Sequence, residues 1–490
     1  HVIAQTDTLV IAQFRREDID AFRRRIEEKR GPSLFLVGNP NTPSRQTAPR
    51  HLPSACRIVV IGTRVERCGM GSQDEMMAEL IGRSLGLGPE WTVVRVEIEE
   101  PAGMPAELHV YVERTPEHAL PCPRCGCDHG VYDTRERTWR HLDIWQYKTF
   151  IHCRLPRLDC PGGPVTAEVP WASPNSKHFT ALFEAQVLLM AMSSMPVRGI
   201  AKLVREGDTR VWAMLNRIVG EAHSRADFSG VTQVGVDETA RRRGHNYISS
   251  FVDLDAARVM VCELGRDAST VASFAAQLES HGGDPAAVEV VTCDLSPAFA
   301  KGVAEHLPNA KRVADRFHVV QVASRQVDKV RVAEARESKE KRALLARSKH
   351  IWLKNEANLT ERQAARKREL SRERLKTARA CQMREALQAV YECETRAEAE
   401  LELDALCSWI MHSNVPQMKE VAKTLRKHRG EVLNYFDHRL TNAVLEGMNS
   451  VIQSAKRLAR GFRNPEYFKT VIYMKLGKLT FPQLEACATH

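Results

Sequence analysis

Three acidic residues lie where their carboxylates could share metal ions. Asp237 closes the alternating apolar segment VTQVGV and Asp294 closes VEVVTC, so each is expected at the carboxyl end of a strand. Glu446 lies on the polar face of a predicted helix. Crowded carboxylates repel one another unless cations neutralise them, and Mg²⁺ binds a few carboxylates while keeping water for exchange with phosphate oxygens. The set therefore predicts two-metal chemistry on a phosphodiester, without a protein nucleophile.

Four polar residues are predicted to support these ligands: Asp315, His318, Asn442 and Asn449. Asp315 is expected on the fifth strand of the same sheet, and the two asparagines share the helix face of Glu446. His318 has the alternative role of a hydrogen-bonded core histidine. Glu238 follows Asp237 and is expected on the opposite face of its strand.

A cysteine group between residues 122 and 160 has the spacing of a metal site. Cys122 and Cys125 form a C-x-x-C turn, which brings two thiolates to one side of a tetrahedral ion, and Cys160 lies downstream. The fourth ligand is expected to be Cys153, and the alternatives that the spacing leaves open are His152, Cys127 and His129. Zn²⁺ is the predicted ion, and a cysteine-lined ribbon without metal is the alternative.

The segment after the cysteines has the pattern of helix, short turn and helix around Gly207, typical of a helix-turn-helix. Its exposed polar residues Arg210, Asn216 and Arg217 are predicted to contact DNA. A plain helical hairpin would have the same pattern. Further basic residues follow Glu446 along its helix, and Lys456, Arg457 and Arg460 are predicted to bind the DNA backbone or, alternatively, only to solvate the helix.

The elements between residues 231 and 320 follow the order strand, hairpin, helix, strand, helix, strand. This is the order of an RNase H-like fold, in which the first and fourth strands lie side by side in parallel. From about Val320 strand patterns stop, and dense Arg, Lys and Glu at helical spacing predict a long helical insertion. Most of its charge is interpreted as solvated ion pairs, although its basic excess could lie against phosphates.

These observations predict an α/β protein: an RNase H-like mixed sheet with an all-helical insertion, preceded by a zinc-ribbon-like domain and a helix-turn-helix. The expected boundaries are 1–75 for an extension of unknown role, 76–120 for a small α/β segment, 121–172 for the ribbon, 173–226 for the helix-turn-helix, 228–320 and 436–490 for the two parts of the catalytic domain, and 321–435 for the insertion.

Composition narrows the class of protein. Lys and Arg number 71 against 61 Asp and Glu, and the resulting charge of +10 favours a polyanionic partner such as nucleic acid. Stretches long and apolar enough to cross a membrane are not found, since such a span takes roughly 20 residues. Thirteen scattered cysteines indicate a reducing compartment rather than a disulfide framework. A cytoplasmic protein that joins the nucleoid when it acts is expected.

The blocks GVDETA, TCDLSPAF, ADRFHVV and NAVLEGMNSVIQSAKRLARGFRN resemble those of DDE transposases from bacterial insertion sequences, specifically the ISL3 family with its zinc-ribbon head. The resemblance extends from about Glu75 to Leu479. It implies a catalytic triad at Asp237, Asp294 and Glu446, two Mg²⁺ ions for which Mn²⁺ can substitute, and Zn²⁺ in the ribbon. The sequence departs from the family at Gly162 and Gly163, where relatives often have a further metal ligand.

The resemblance implies a transposase that binds the terminal inverted repeats of its own element, cleaves the ends and joins the 3′-hydroxyls to target DNA. Double-stranded DNA and further copies of the chain on that DNA are the expected partners. Two alternatives remain: a domesticated, non-catalytic DNA-binding protein and an RNase H-like nuclease that cuts without joining. The intact acidic triad argues against the first alternative.

Overall fold

The computed structural model describes residues 58–61, 73–100, 105–240, 247–440 and 443–484, with the backbone alone at 58–61 and 73–75. Its first part is a six-stranded sheet in the order β1-β2-β3-β5-β4, with β6 paired to β5. Only β3 and β5 run parallel. The elements are β1 (Ile58–Ile61), α1 (Gln73–Ser84), β2 (Trp91–Glu99), β3 (Glu107–Arg114), β4 (Val131–Arg140), β5 (Lys148–Leu158) and β6 (Val165–Thr166).

This sheet extends across the boundary expected at residue 120, because β3 pairs with β5 beyond the cysteine turn. Alternate residues of β3 and β5 are buried, which places Val110 and Ile151 in one core with Trp139 and Trp171. The predicted lead segment and ribbon therefore share one sheet and one hydrophobic core. The expected division at residue 120 has no counterpart in the strand pairing.

Three helices follow the sheet: α2 (Ala181–Met192), α3 (Val197–Leu203) and α4 (Asp208–Ser224). Thr180 caps α2 by accepting a hydrogen bond from the Phe183 amide. The apolar faces of the three helices pack together around Ile200, Val211 and Leu215. A short turn at residues 204–207 joins α3 to α4, as the pattern around Gly207 predicts.

A second sheet has five strands in the order β11-β10-β7-β8-β9. The pairs β7–β10 and β10–β11 are parallel, and the hairpin strands are antiparallel. The predicted parallel pairing of the first and fourth strands is confirmed. The elements are β7 (Gln233–Ala240), β8 (Tyr247–Asp253), β9 (Arg258–Leu264), α5 (Ala268–Ser280), β10 (Val290–Cys293), α6 (Pro297–His306) and β11 (Lys311–Ala314).

Between this sheet and the last helices lies an all-helical segment with a core of its own. It begins at Arg316, directly after β11, because Asp315 caps the first helix instead of continuing the strand. Its helices are α7 (Arg316–Glu334), α8 (Lys339–Leu344), α9 (Lys349–Leu353), α10 (Glu361–Arg372), α11 (Lys376–Val390), α12 (Arg396–Met411), α13 (Pro416–Lys427) and α14 (Arg429–His438).

Two helices complete the described chain, α15 (Ala443–Leu458) and α16 (Pro465–Leu476). The apolar stripe of α15, predicted from the sequence, is buried: Leu445, Met448, Ile452 and Ala455. They pack with residues of β8, β9 and α16 in one cluster, which sets α15 against the five-stranded sheet. Within the described residues, the helices are all too short or too polar to cross a membrane.

Candidate active site and DNA-binding elements

Three aspartates align across the parallel strands of the second sheet. Thr292 of β10 lies opposite Gly235 of β7, so continuing the register by two residues puts Asp294 beside Asp237. Cys293 lies opposite Ala314 of β11, so the next step puts Asp294 beside Asp315. The pairing of β7 with β10 ends just before Asp237, although β7 itself runs on to Ala240. The carboxylates therefore meet at one edge of the sheet.

The electrostatics of the cluster reflect this crowding. Burial raises the pKa of Asp237 to about 6, and the charges of Asp315 and Asp294 push it in the same direction. The Glu238 amide limits the rise by donating a 2.7 Å hydrogen bond to Asp237 Oδ1. Burial also raises the pKa of Glu238 to about 7, with Asp294 contributing repulsion. A cation bound beside these carboxylates would stabilise their ionised forms and lower both raised pKa values.

Glu238 was expected on the face of β7 opposite to that of Asp237. The Asp294 charge nevertheless contributes to raising the pKa of Glu238. Strict alternation along a strand misses this, since Asp294 lies in the loop after β10 and is not held to one face of the sheet. In the sequence, only the position of Glu238 next to Asp237 indicated that it could be influenced by the cluster.

Asp315 and His318 lie beside the cluster in a defined arrangement. Asp315 Oδ1 accepts a 2.7 Å hydrogen bond from the Phe317 amide, which caps α7. Its other oxygen lies 2.7 Å from His318 Nδ1. This hydrogen bond raises the pKa of His318, and the Asp237 and Asp294 charges favour the imidazolium further. His318 is thus held by Asp315 at the edge of the carboxylate cluster.

Helix α15 contacts the cluster through Asn449. Asn449 of α15 donates a side-chain hydrogen bond to Asp237 and lies 3.4 Å from the Thr239 hydroxyl. Glu446 precedes Asn449 by three residues, so both lie on one helix face. The Glu446 side chain is exposed and borders a cavity of about 520 Å³ together with Phe317. Asn442, predicted to share this face, lies outside the described residues.

The donor set of this edge fits hard divalent cations. Its oxygens come from Asp237 on β7 and from Asp294 and Asp315, which directly follow β10 and β11, and the Asn449 amide on the facing helix supports Asp237. Mg²⁺ and Mn²⁺ prefer such oxygen ligands over nitrogen or sulfur. A bound cation would stabilise the ionised carboxylate of Asp237 and so lower its raised pKa.

The cysteine group forms a second candidate metal centre. One ligand atom from each of Cys122, Cys125, His129 and Cys160 lies within 4.8 Å of the others. Backbone hydrogen bonds lower the pKa of Cys122, most of all that from Arg124, which favours a thiolate. Gly126, at φ 73°, gives the turn its left-handed residue. Three sulfurs and one imidazole nitrogen are a common zinc ligand set.

The expected fourth ligand, Cys153, requires correction. Cys153 lies in the middle of β5 with its side chain in the hydrophobic core, and burial raises the pKa of its thiol to about 12. It is not part of the ligand group. Strand alternation explains this, because Cys153 follows the buried Ile151 by two residues and faces the same side of the sheet. His129, one of the alternatives, is the fourth member of the group, because the short loop after Cys125 brings its ring to the three cysteines.

Of the three residues on α4 that were predicted to be exposed and to contact DNA, two are half-buried. Arg210 is exposed, as predicted. Asn216 is half-buried, and its Oδ1 accepts a 2.7 Å hydrogen bond from Thr470 of α16. Arg217 is also half-buried and forms ion pairs with the buried Glu184 and with Glu221. Helical periodicity identified the outer face of an isolated helix pair, but α16 and α2 cover part of that face.

The basic residues after Glu446 differ in their surroundings. Lys456 is half-buried and donates a 2.5 Å hydrogen bond to the Ala240 carbonyl at the end of β7. Arg457 is exposed and donates to the Ser454 hydroxyl. Arg460 is exposed and has a left-handed backbone, with φ 54°, where the chain leaves α15. The two arginines are accessible to a ligand, whereas Lys456 mainly ties α15 to β7.

Three family profiles match the chain in the order of these elements. Residues 119–162 match the zinc finger of the transposases IS204, IS1001, IS1096 and IS1165, and residues 167–219 match the helix-turn-helix domain of transposase family ISL3. Residues 234–472, which hold the five-stranded sheet, the insertion and α15, match a profile described as transposase. The class of protein is therefore that of the transposases.

Individual relatives agree. The chain is 28% identical over 412 residues to the transposase for insertion sequence element IS1557 of Mycobacterium tuberculosis, a match that covers 78% of this chain and 91% of the relative. It is 28% identical over 402 residues to the transposase for IS1001 of Bordetella parapertussis, covering 81% and 96%. The chain belongs to the ISL3 family of transposases.

Proposed function

We propose that this transposase binds the terminal inverted repeats of its element, cleaves the DNA ends and joins their 3′-hydroxyls to target DNA. Asp237, Asp294 and Glu446 are the proposed ligands of two Mg²⁺ ions. Asp237 lies on β7, Asp294 directly follows the neighbouring parallel strand β10, and the helix that carries Glu446 contacts Asp237 through Asn449; this arrangement supports the proposal most directly.

Each group of the site has a proposed role. When bound, the two ions would activate a water molecule or a 3′-hydroxyl and stabilise the leaving oxygen. Asn449 holds the Asp237 carboxylate through its amide, which fixes the orientation of that ligand. Asp315 fixes the ring of His318 at the edge of the cluster, where a cationic imidazolium favours the approach of a phosphodiester.

The same proposal assigns roles to the ribbon, to three exposed arginines and to further copies of the chain. The ribbon binds Zn²⁺ through Cys122, Cys125, His129 and Cys160, and contributes to recognition of the element ends. Arg210, Arg457 and Arg460 bind DNA phosphates, because their side chains are exposed on the helix-turn-helix and beyond the catalytic helix. Two DNA ends must be joined in one event, so further copies of the chain are the proposed partners on DNA.

A strand-transfer assay tests the activity. Labelled element ends, target DNA and Mg²⁺ are incubated with the full chain and with Glu446→Gln, which keeps the size of the side chain but removes its charge. We expect the variant to lose cleavage and joining by at least about a thousandfold while DNA binding persists, as for loss of a metal ligand in a phosphoryl-transfer site. Glu466→Gln, an exposed glutamate on α16, is the matched control and should stay active.

The outcomes separate the alternatives. Cleavage without joining by the wild-type chain would identify a nuclease, and end binding without cleavage would identify a non-catalytic DNA-binding protein. Normal strand transfer by Glu446→Gln would exclude Glu446 from the metal site. Calorimetric titration with Mn²⁺ gives a second measure, because Glu446→Gln should weaken binding of the ion while Glu466→Gln should not.

A further inference from the structure

A short segment before the helix-turn-helix is fixed against the ribbon and faces α4. This segment, residues 173–180 or SPNSKHFT, is here called the strap. The His178 carbonyl accepts a 2.8 Å hydrogen bond from the Arg140 amide, and the Thr180 amide donates to the Arg140 carbonyl at 3.0 Å. The Trp139 indole donates to the Ser176 carbonyl at 3.2 Å. The last two residues of β4 thus form hydrogen bonds to the strap at Ser176, His178 and Thr180.

The helix-turn-helix fixes the other side of the strap. The Ser176 hydroxyl is buried and lies 2.6 Å from Glu184 Oε1 of α2. The same carboxylate pairs with Arg217 of α4. The Arg210 guanidinium lies over the ring of Phe179, 4.8 Å from its centroid. The strap, α2 and α4 are therefore joined through side chains of all three segments.

A cleft of about 330 Å³ lies between the strap and α4. Three of the residues lining it carry a positive charge, Lys177, Arg210 and Arg217, and Glu184 is the one carboxylate among its lining residues. Lys177 and His178 are exposed on the strap side, and Arg210 is exposed on the helix side. A cleft of this size admits a phosphodiester group and its sugar but not a double helix.

The charge of Arg210 is not cancelled locally. Arg210 pairs with Glu206 at 2.5 Å, but the Glu206 carboxylate is buried and also lies 3.5 Å from Arg140 and 3.4 Å from Lys148. Arg140 and Arg205 also pair with Asp143, so two carboxylates, Glu206 and Asp143, face four cations in this network, and positive charge remains near the mouth of the cleft. In the same way Glu184 neutralises only one of the three cationic side chains that line the cleft.

We propose that this cleft is a phosphate clamp, in which Lys177 and His178 of the strap and Arg210 of α4 bind one backbone phosphate of the DNA held by the helix-turn-helix. The proposal rests on the proposed DNA-binding function and adds a contact from outside the two helices of the motif. Arg217, held by Glu184, is a positioning residue at the base of the cleft. Because the strap is fixed to the ribbon, the clamp sets the register of α4 on the duplex.

The clamp predicts a sequence-independent electrostatic effect. Each phosphate contact contributes about −0.9 to the slope of log K against log salt, so losing one flattens the slope by about 0.9 and lowers affinity roughly eightfold at about 0.1 M salt. The probe is a labelled duplex of random sequence, titrated with the full chain by fluorescence anisotropy over a salt series. The variants are Lys177→Ala, Arg210→Ala and the two combined.

Matched controls separate the clamp from a general loss of charge. Arg83→Ala combined with Lys301→Ala also removes two charges, from exposed positions that, like Arg210, have a salt bridge one helical turn away. This pair should keep the wild-type slope. The charge-retaining Lys177→Arg and Arg210→Lys should restore most of the slope, and circular dichroism checks that each variant remains folded.

Equal slopes for the clamp double variant and the control pair would overturn the clamp. If the wild-type chain still binds DNA with a steep salt dependence in that case, the proposed function stands and the contact lies elsewhere. Absence of DNA binding by the wild-type chain would overturn both. A flattened slope in the clamp variants, restored by the charge-retaining substitutions, is the supporting result.

Discussion

At the scale of single residues, ligand identity is decided by which way each side chain points. In the ribbon, three cysteines and His129 converge because a turn and a loop carry them, whereas Cys153 is held in a strand with its thiol in the core. A thiol whose pKa is raised to about 12 is a poor source of thiolate for a metal. The metal set is therefore specified by turns and not by the number of cysteines.

This arrangement predicts the metal content of single variants. His129→Ala removes one of four ligands, so we expect zinc bound to the purified chain to fall from about one equivalent to a small fraction and ribbon stability to fall with it. Elemental analysis after dialysis against a weak chelator measures this. Cys127→Ser is the matched control, because Cys127 is exposed in the same turn and outside the ligand group. Equal zinc in the two variants would exclude His129.

Some residues of the candidate site could be predicted from the sequence and others could not. Asp237 and Asp294 were accessible because each follows an apolar run, although only Asp294 lies at a strand end and β7 continues to Ala240 beyond Asp237. The exposure of Asn216 and Arg217 was not accessible, since Thr470 and Glu184, which contact them, lie far away in sequence. The choice of His129 as the fourth zinc ligand also could not be made, because it depends on the geometry of a loop and the spacing of the residues allowed several alternatives.

At the scale of elements, the end of β4 joins the ribbon to the helix-turn-helix. His141 follows β4 directly, is buried, and lies with its Nδ1 2.9 Å from the hydroxyl of Thr180, the residue that caps α2. Burial lowers the pKa of His141 to about 4, and the neighbouring Arg140 charge acts in the same direction. The junction is therefore built around a neutral histidine.

This gives the junction a defined pH dependence. His141 titrates near 6.5 when unfolded and near 4 when folded, so the unfolded chain binds the proton more readily between these values and stability falls as pH falls through that window. The loss should reach about 2–3 kcal/mol near pH 4.5 and be absent above about pH 7.5.

Replacement of the histidine tests this dependence. His141→Gln stays neutral and keeps a partner for Thr180, so it should lose less stability on acidification than the wild-type chain, as measured by urea unfolding at both pH values. His118→Gln, at an exposed position, is the control and should follow the wild type. Zinc release at low pH affects all three proteins alike. Identical acid sensitivity in His141→Gln and wild type would contradict the assignment.

The order of elements was more predictable than their long-range pairing. The five-stranded sheet follows from the sequence because its hairpin, helices and apolar runs each have a local pattern and only a few topologies accommodate them. The boundary predicted at residue 120 falls between strands of the first sheet, since the parallel pairing of β3 with β5 spans the cysteine turn and has no local signal. Strand pairing across such a distance depends on the shared core around Trp139.

At the scale of the whole molecule, the helical insertion connects the two halves of the candidate site. It begins at Arg316, next to Asp315, and α14 returns the chain toward α15 and Glu446. Helix α14 is held to β11, because Asn434 donates a 2.8 Å hydrogen bond to the Arg312 carbonyl and Arg312 pairs with Glu431 at 3.0 Å. The insertion therefore helps to determine where the third acidic residue lies.

A buried carboxylate secures this insertion. Glu334, at the end of α7, accepts 2.8 Å hydrogen bonds from the amides of Lys376 and Thr377 at the start of α11, and another from the Thr377 hydroxyl. It also lies 3.4 Å from the Lys341 amine. One side chain thus satisfies the first donors of α11 and ties that helix to α7.

Removing that carboxylate should weaken the molecule far from the substitution. Glu334→Ala leaves buried donors unpaired, so we expect a loss of about 2–4 kcal/mol in the free energy of unfolding and faster amide exchange in α7 and α11. Glu337→Ala is the matched control, because Glu337 pairs with the same Lys341 and with Lys376 but is exposed, and its loss of stability should be clearly smaller.

The effect on the candidate active site follows from the connection through α14. Looser packing of the insertion should leave Glu446 less firmly placed, so Mn²⁺ affinity in Glu334→Ala should fall while zinc content and exchange in β2 and β3 remain unchanged. If Glu334→Ala and Glu337→Ala unfold at the same urea concentration and bind Mn²⁺ equally, the insertion does not depend on this carboxylate, and the position of Glu446 is set by the packing of α15 on the sheet alone.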